Sequence, residues 1–118
     1  MTLQLYLHFP FCKSKCLYCD FCSAPGSRAE MERYTAALRR EIVQAGREYP
    51  NAEISTVYLG GGTPSILPPD LMASVLESLH IAFSFQPNVE FSSEANPGTL
   101  TPEWLECVRR HGVNRLSM

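Results

Sequence analysis

Little in this chain points to a charged partner or a route into a membrane. Ten lysines and arginines against twelve aspartates and glutamates leave a formal net charge of -2, so a polyanion such as nucleic acid is not an expected partner. The opening Met1-Thr2-Leu3-Gln4-Leu5-Tyr6 lacks a basic stretch ahead of a long apolar run. Pro10 and the first cysteine follow at once, which argues against a signal peptide and against a membrane span, and makes the cytoplasm the expected address. Internal repeats, low-complexity tracts and Gly/Ser linkers are missing too, so no domain boundary is expected inside the 118 residues. A hydrophobic content of 45% is enough for one globular unit.

What the chain does have is cysteine in one place. Of five cysteines, Cys12, Cys16, Cys19 and Cys22 crowd into eleven residues. An odd count with that crowding, in a reducing compartment, suggests metal ligation more than a disulfide framework. Cys12, Cys16 and Cys19 form C-x-x-x-C-x-x-C, a spacing that lets three thiolates converge on one centre, as iron–sulfur clusters require. Spacing alone leaves two other readings open: a zinc site with Cys22 as fourth ligand, and a redox-active thiol pair.

The rest of the pattern alternates strand and helix. Leu3 to Phe9 is a short apolar run ended by Pro10, and Ser27-x-x-Glu30 is a capping box opening a helix through about Glu48 with Tyr34, Leu38, Ile42 and Ala45 on one face. Ile54 to Leu59 is a second strand running into Gly60-Gly61-Gly62. Pro68-Pro69 then precedes a helix that carries Leu71, Val75, Leu79 and Phe83 toward a core. Val89 to Ala95 is a third strand, Thr101-Pro102 caps a helix with Trp104, Leu105 and Val108, and Gly112 ends it before a fourth strand, Val113 to Met118. This order predicts an α/β fold with parallel strands and helical crossovers, either an open sheet or part of a barrel. The loops after the strands, residues 10–25, 60–67 and 96–101, would then share one edge. Met118 falls inside an apolar strand with nothing after it to cover the edge, which predicts the N-terminal piece of a longer protein.

Gly60-Gly61-Gly62-Thr63-Pro64 leaves a strand directly, where missing side chains let backbone groups approach a ligand; an ordinary glycine-rich turn is the alternative. Glu94 lies near the end of the third strand on its more polar face, and an unpaired carboxylate there would be costly if both faces of the sheet are covered. Tyr6 and His8 share a strand face, His8 being expected as a hydrogen-bonded core histidine rather than a metal ligand. His80 and His111 are expected as surface or cap residues, and Cys107 as a small buried hydrophobe beside Trp104 and Val108.

The string Tyr6-Leu7-His8-Phe9-Pro10-Phe11-Cys12 with Tyr18-Cys19-Asp20-Phe21 resembles the radical S-adenosylmethionine (SAM) superfamily, as do Gly60-Gly61-Gly62-Thr63-Pro64 and Glu94-Ala95-Asn96-Pro97-Gly98-Thr99. That resemblance implies a [4Fe–4S] cluster on Cys12, Cys16 and Cys19. Its fourth iron would be chelated by the amino and carboxylate groups of SAM, and electron transfer into the sulfonium would release a 5′-deoxyadenosyl radical. It further implies SAM contacts from Tyr6, Tyr18, Gly61, Gly62, Thr63 and Glu94. The implied fold is a set of parallel βα repeats forming part of a TIM-like partial barrel, with residues 1–118 as the N-terminal part of the core domain, truncated after the fourth strand. Within the superfamily the chain is similar to the branch that holds oxygen-independent coproporphyrinogen III oxidase and the heme chaperone HemW family. Phe21 stands where the oxidases carry a further cysteine, and the oxidases' extension before the first strand is missing here, which favours the chaperones. The implied partners are SAM, heme or porphyrinogen, recipient hemoproteins and an electron donor. Porphyrinogen decarboxylation is the alternative, and a plain iron–sulfur or zinc module without SAM chemistry is a second.

Overall fold

Alternation in β1 (Thr2–Phe9) already separates two faces: Leu3, Leu5, Leu7 and Phe9 turn one way, Gln4, Tyr6 and His8 the other. In a computed structural model, which describes residues 1–12 and 27–118, β1 is followed by α1 (Arg28–Glu48), β2 (Glu53–Gly61), a single 3₁₀ turn (Pro64–Ile66), α2 (Pro69–Ala82), β3 (Ser84–Glu94), α3 (Pro102–Arg110) and β4 (Arg115–Ser117). The caps explain the helix starts. The Ser27 hydroxyl accepts from the Glu30 N–H at 3.1 Å, the Thr101 hydroxyl accepts from the Trp104 N–H at 3.1 Å, and α2 and α3 each begin on proline. Gly112, at φ +105°, closes α3 and donates to the Arg109 carbonyl.

All pairings are parallel, and the strand order is β1-β2-β3-β4. Sequential parallel neighbours with crossovers of one hand place every helix on the same side of the sheet. One continuous core results, in which Leu7, Phe9, Val57, Leu59 and Phe91 meet Met31 and Ile42 of α1, Met72, Val75, Leu76 and Leu79 of α2, and Trp104, Cys107 and Val108 of α3. The other face carries Tyr6, Tyr58, Ser92 and Arg115 in one cross-strand row, and beyond it the pairs His8–Gly60 and Glu94–Ser117. Glu94 therefore does not lie between two helical layers; it sits on a polar, helix-free face.

β1 and β2 extend their expected bounds by one to three residues, and the other two strands differ more. β3 begins five residues before Val89, because Ser84 and Phe85 pair with Glu53 and Ile54 while the register then jumps to Thr56–Glu90. The jump removes Pro87, which has no N–H to give, from the ladder. Phe85 is held by stacking on His80 at 4.6 Å between ring centroids. β4 is shorter than expected: Val113 donates to the Val108 carbonyl, and Asn114 reaches β3 through both its side chain and its backbone. Its N–H bonds the Phe91 carbonyl at 2.8 Å while its amide oxygen accepts from the Phe91 N–H at 3.0 Å.

Candidate functional site at the C-terminal edge of the sheet

Parallel strands point all their C-terminal ends one way, so the segments after β1, β2 and β3 meet at one edge. Cys12, half-buried, lies three residues beyond β1. Its approach is held from three directions. The Gly62 N–H donates to the Phe9 carbonyl at 2.8 Å, the Thr63 N–H donates to the Phe11 carbonyl at 2.7 Å, and the Tyr34 hydroxyl on α1 donates to the His8 carbonyl. The Phe11 ring meets Tyr34 edge-on at 5.4 Å, and burial pushes the Tyr34 phenol pKa up, keeping it a donor. The glycine segment thus straps down the backbone that leads to the first cysteine.

The third segment is tied to the second through one hydroxyl. Ser65 accepts from the Asn96 N–H at 3.0 Å and lies 2.6 Å from the Thr99 hydroxyl. Behind it, buried Trp104 donates its indole N–H to the Pro64 carbonyl at 3.2 Å.

On the open face, Glu94 is the charged group nearest the glycines. One carboxylate oxygen accepts from the Gly61 N–H and the other from the Tyr58 hydroxyl, each at 3.0 Å. Tyr58 stacks on Tyr6 with ring centroids 6.0 Å apart and planes 13° from parallel, and the Tyr6 hydroxyl lies 3.2 Å from His8 Nδ1. The Tyr58 phenol pKa is raised, first by desolvation and then by the hydrogen bond to Glu94. A Cβ built on Gly60 would lie 2.8 Å from a Tyr58 ring carbon, 3.0 Å from a Glu94 oxygen and 3.1 Å from a Tyr6 ring carbon. The missing side chain is what lets these three groups converge.

Gly61 is more constrained still. At φ +111°, with a would-be Cβ 2.7 Å from the His8 ring and 3.0 Å from the Phe9 nitrogen, it admits no side chain without movement of β1. Gly61→Ala is expected to cost about 1–3 kcal/mol from backbone strain alone, with the clash adding to it. Thermal unfolding followed by circular dichroism checks this, and an unchanged midpoint would show that the φ is not held in solution.

The profile of the Radical SAM superfamily matches residues 6–118. The chain belongs to the radical SAM superfamily. It is 37% identical over 117 residues to heme chaperone HemW of Mycobacterium tuberculosis, covering 97% of this chain and 30% of that protein. Against heme chaperone HemW of Escherichia coli it is 34% identical over 117 residues, with 98% and 31% covered. Against oxygen-independent coproporphyrinogen III oxidase of Bradyrhizobium diazoefficiens it is 34% identical over 119 residues, with 99% and 26% covered. The solved structure of coproporphyrinogen III oxidase (HemN) from Escherichia coli, described as a radical SAM enzyme, matches at a TM-score of 0.90 and 31% identity, over 98% of this chain and 27% of that one. The chain thus spans about 30% of the length of the curated relatives it matches.

In this radical SAM chain the residues expected at the site fall into two groups. Cys12, Tyr6, Gly61, Gly62, Thr63 and Glu94 gather at one edge of one sheet, while Cys16, Cys19 and Tyr18, like Cys22 and Phe21, lie outside the described residues. Three contributors escaped the sequence reading. Tyr58 and Ser65 looked like ordinary strand and loop residues, and Tyr34 looked apolar; each acts through a partner 26 to 36 residues away. A tyrosine two residues before a glycine run, on the face shared with a later glutamate, is the one signal that alternation could have supplied.

His8, expected as a core histidine, instead lies half-buried on the helix-free face, because it alternates with core-facing Leu7 and Phe9; the bland expectations for His80, His111 and Cys107 hold. His80 Nε2 lies 2.6 Å from the His111 carbonyl, and His111 caps α3 with Nδ1 2.8 Å from the Cys107 carbonyl. Cys107 is 2% exposed, donates to the Pro69 carbonyl at 3.3 Å, and has its thiol pKa pushed up by burial. Since only the thiolate is nucleophilic, Cys107 should resist alkylation in the folded chain and react once denatured. Peptide mapping after iodoacetamide treatment with and without denaturant measures this. Among the described residues no helix is long and apolar enough to cross a membrane.

Proposed function

We propose that Cys12, Cys16 and Cys19 hold a [4Fe–4S] cluster and that SAM binds over the helix-free face beside it, in a protein that binds heme and delivers it to hemoproteins in the cytoplasm. The observation that carries the reading is the strap of backbone hydrogen bonds from Gly62 and Thr63 to Phe9 and Phe11, which holds the backbone leading to the first cysteine against the glycine segment, on the sheet edge that also carries Glu94. The residues fit the group. The bare Gly60 lets Tyr6, Tyr58 and Glu94 converge beside the glycine segment, which a side chain there would prevent. Glu94 has accepted one bond on each oxygen and keeps lone pairs for an amino group, which needs acceptors. Tyr6 presents a half-exposed ring, 59% accessible, against which an apolar ligand surface can lie.

When bound, such a cluster supplies an electron to the SAM sulfonium. This chain's own residues would do the rest. Reduced, Cys12 would provide a thiolate to the cluster, Glu94 would neutralise and orient the amino group, and the stacked Tyr6 and Tyr58 rings would keep water off one side of the ligand.

Anaerobic reconstitution with iron and sulfide, followed by electron paramagnetic resonance of the reduced chain, tests the centre. Addition of SAM should change the spectrum, because SAM would complete the open iron. A spectrum indifferent to SAM would sink the SAM reading in favour of a plain iron–sulfur module, and zinc in place of iron would sink both. For cargo, the chaperone relatives and Phe21 favour heme, while the oxidase relative and the solved oxidase structure favour porphyrinogen decarboxylation as a second reading. Heme titration followed by absorbance, set against an anaerobic coproporphyrinogen decarboxylation assay, separates them.

A further inference from the structure

We infer that Tyr58 is a positioning residue for Glu94: its hydroxyl locks the plane of the carboxylate that meets the amino group of SAM. This rests on the proposed SAM site. The terminal torsion of a glutamate is broad, so a single donor leaves the carboxylate free to swing. Here two donors take different oxygens, the Gly61 N–H on one and the Tyr58 hydroxyl on the other, both at 3.0 Å. They come from a backbone on β2 and a side chain on the same strand, so β2 as a whole fixes the orientation of a group on β3. Tyr58 is itself held. Its ring stacks on Tyr6, and the bare Gly60 leaves the space through which it reaches the carboxylate. Ser117 of β4, paired with Glu94, opposes the pull of Glu94 on the phenol's titration. A phenylalanine would keep the stack and fill the same volume, so the hydroxyl is the only part that the positioning role needs.

The test is a double-mutant cycle on SAM affinity with Tyr58→Phe, Glu94→Gln and the pair, using the reconstituted chain and equilibrium dialysis, with iron content and thermal midpoint recorded for each. Tyr58→Phe should weaken SAM about tenfold at unchanged iron content, as expected for loss of a hydrogen bond to a charged group. In the Glu94→Gln background the same change should have little further effect. Equal weakening in both backgrounds would mean that Tyr58 acts directly and not through Glu94, and would overturn the inference; so would a silent Tyr58→Phe beside a weakened Glu94→Gln. A Glu94→Gln protein that binds SAM normally would remove the underlying site assignment, and the inference with it. A second measurement needs neither cluster nor SAM. Near-ultraviolet titration of the tyrosines should show the Tyr58 phenol ionising at lower pH in Glu94→Gln than in the parent, and coincident curves would show that the bond is not formed in solution.

Discussion

Cys12→Ser is expected to abolish cluster assembly, leaving the reconstituted chain with little iron, little sulfide and no visible absorbance. A serine hydroxyl is a hard, protonated group at neutral pH, whereas iron in a cluster takes soft thiolate ligands. With three protein ligands and one open iron, losing one ligand leaves two anchors, too few to retain the cluster against chelation by solvent. Cys16→Ser should behave alike, while Cys22→Ser should keep the iron, since Cys22 stands outside the C-x-x-x-C-x-x-C spacing. Elemental analysis of the four proteins decides the matter. Full iron in Cys12→Ser, or its loss in Cys22→Ser, would move the ligand set. Cys12→Ser should fold, because the neighbours that shape the segment, Phe9 and Phe11, are 1% and 6% exposed and keep their backbone bonds to Gly62 and Thr63.

The second large effect is expected at Trp104, which is 1% exposed and sits where α3 meets the segment carrying Thr63, Pro64 and Ser65. Trp104→Ala should lose about 3–5 kcal/mol, a substantial share of the roughly 5–15 kcal/mol that holds a typical domain. Trp104→Phe separates two contributions. It retains most of the packing but removes one of two donors to the Pro64 carbonyl, which keeps the Leu67 N–H at 3.1 Å, so the loss should be only about 0.5–1.5 kcal/mol. Urea denaturation gives both values, and equal losses in the two variants would assign the whole effect to the hydrogen bond. Because the strap on Cys12 begins one residue from Pro64, Trp104→Phe should also weaken SAM without altering any residue that would touch it.

Both cases show what kind of information a linear pattern holds. The cysteine spacing, the Ser27 and Thr101 caps, the proline starts of α2 and α3 and the alternation of Tyr6 and His8 against Leu7 and Phe9 are local, so they are legible along the chain. The start of β3 was not, because Pro87 reads as a break while the pairing of Ser84 and Phe85 with β2 depends on a distant strand. Cys107, His80 and His111 were placed correctly from their helical neighbours alone, whereas His8, expected in the core, lies on the helix-free face.

By itself the sequence determined the α/β alternation, the edge on which the unusual residues gather and the C-x-x-x-C-x-x-C spacing, since periodicity, capping and cysteine spacing act within a few residues. Tertiary structure alone decided the order β1-β2-β3-β4, the placement of α1, α2 and α3 on one side, and hence the open polar face that gives Glu94 its surroundings. It also decided that Tyr58 and the Gly61 N–H take the two carboxylate oxygens, and that Gly62 and Thr63 direct their N–H groups to the cysteine segment. The physical reason is that which strands become neighbours, and which face the crossovers cover, depends on contacts between residues far apart in the chain.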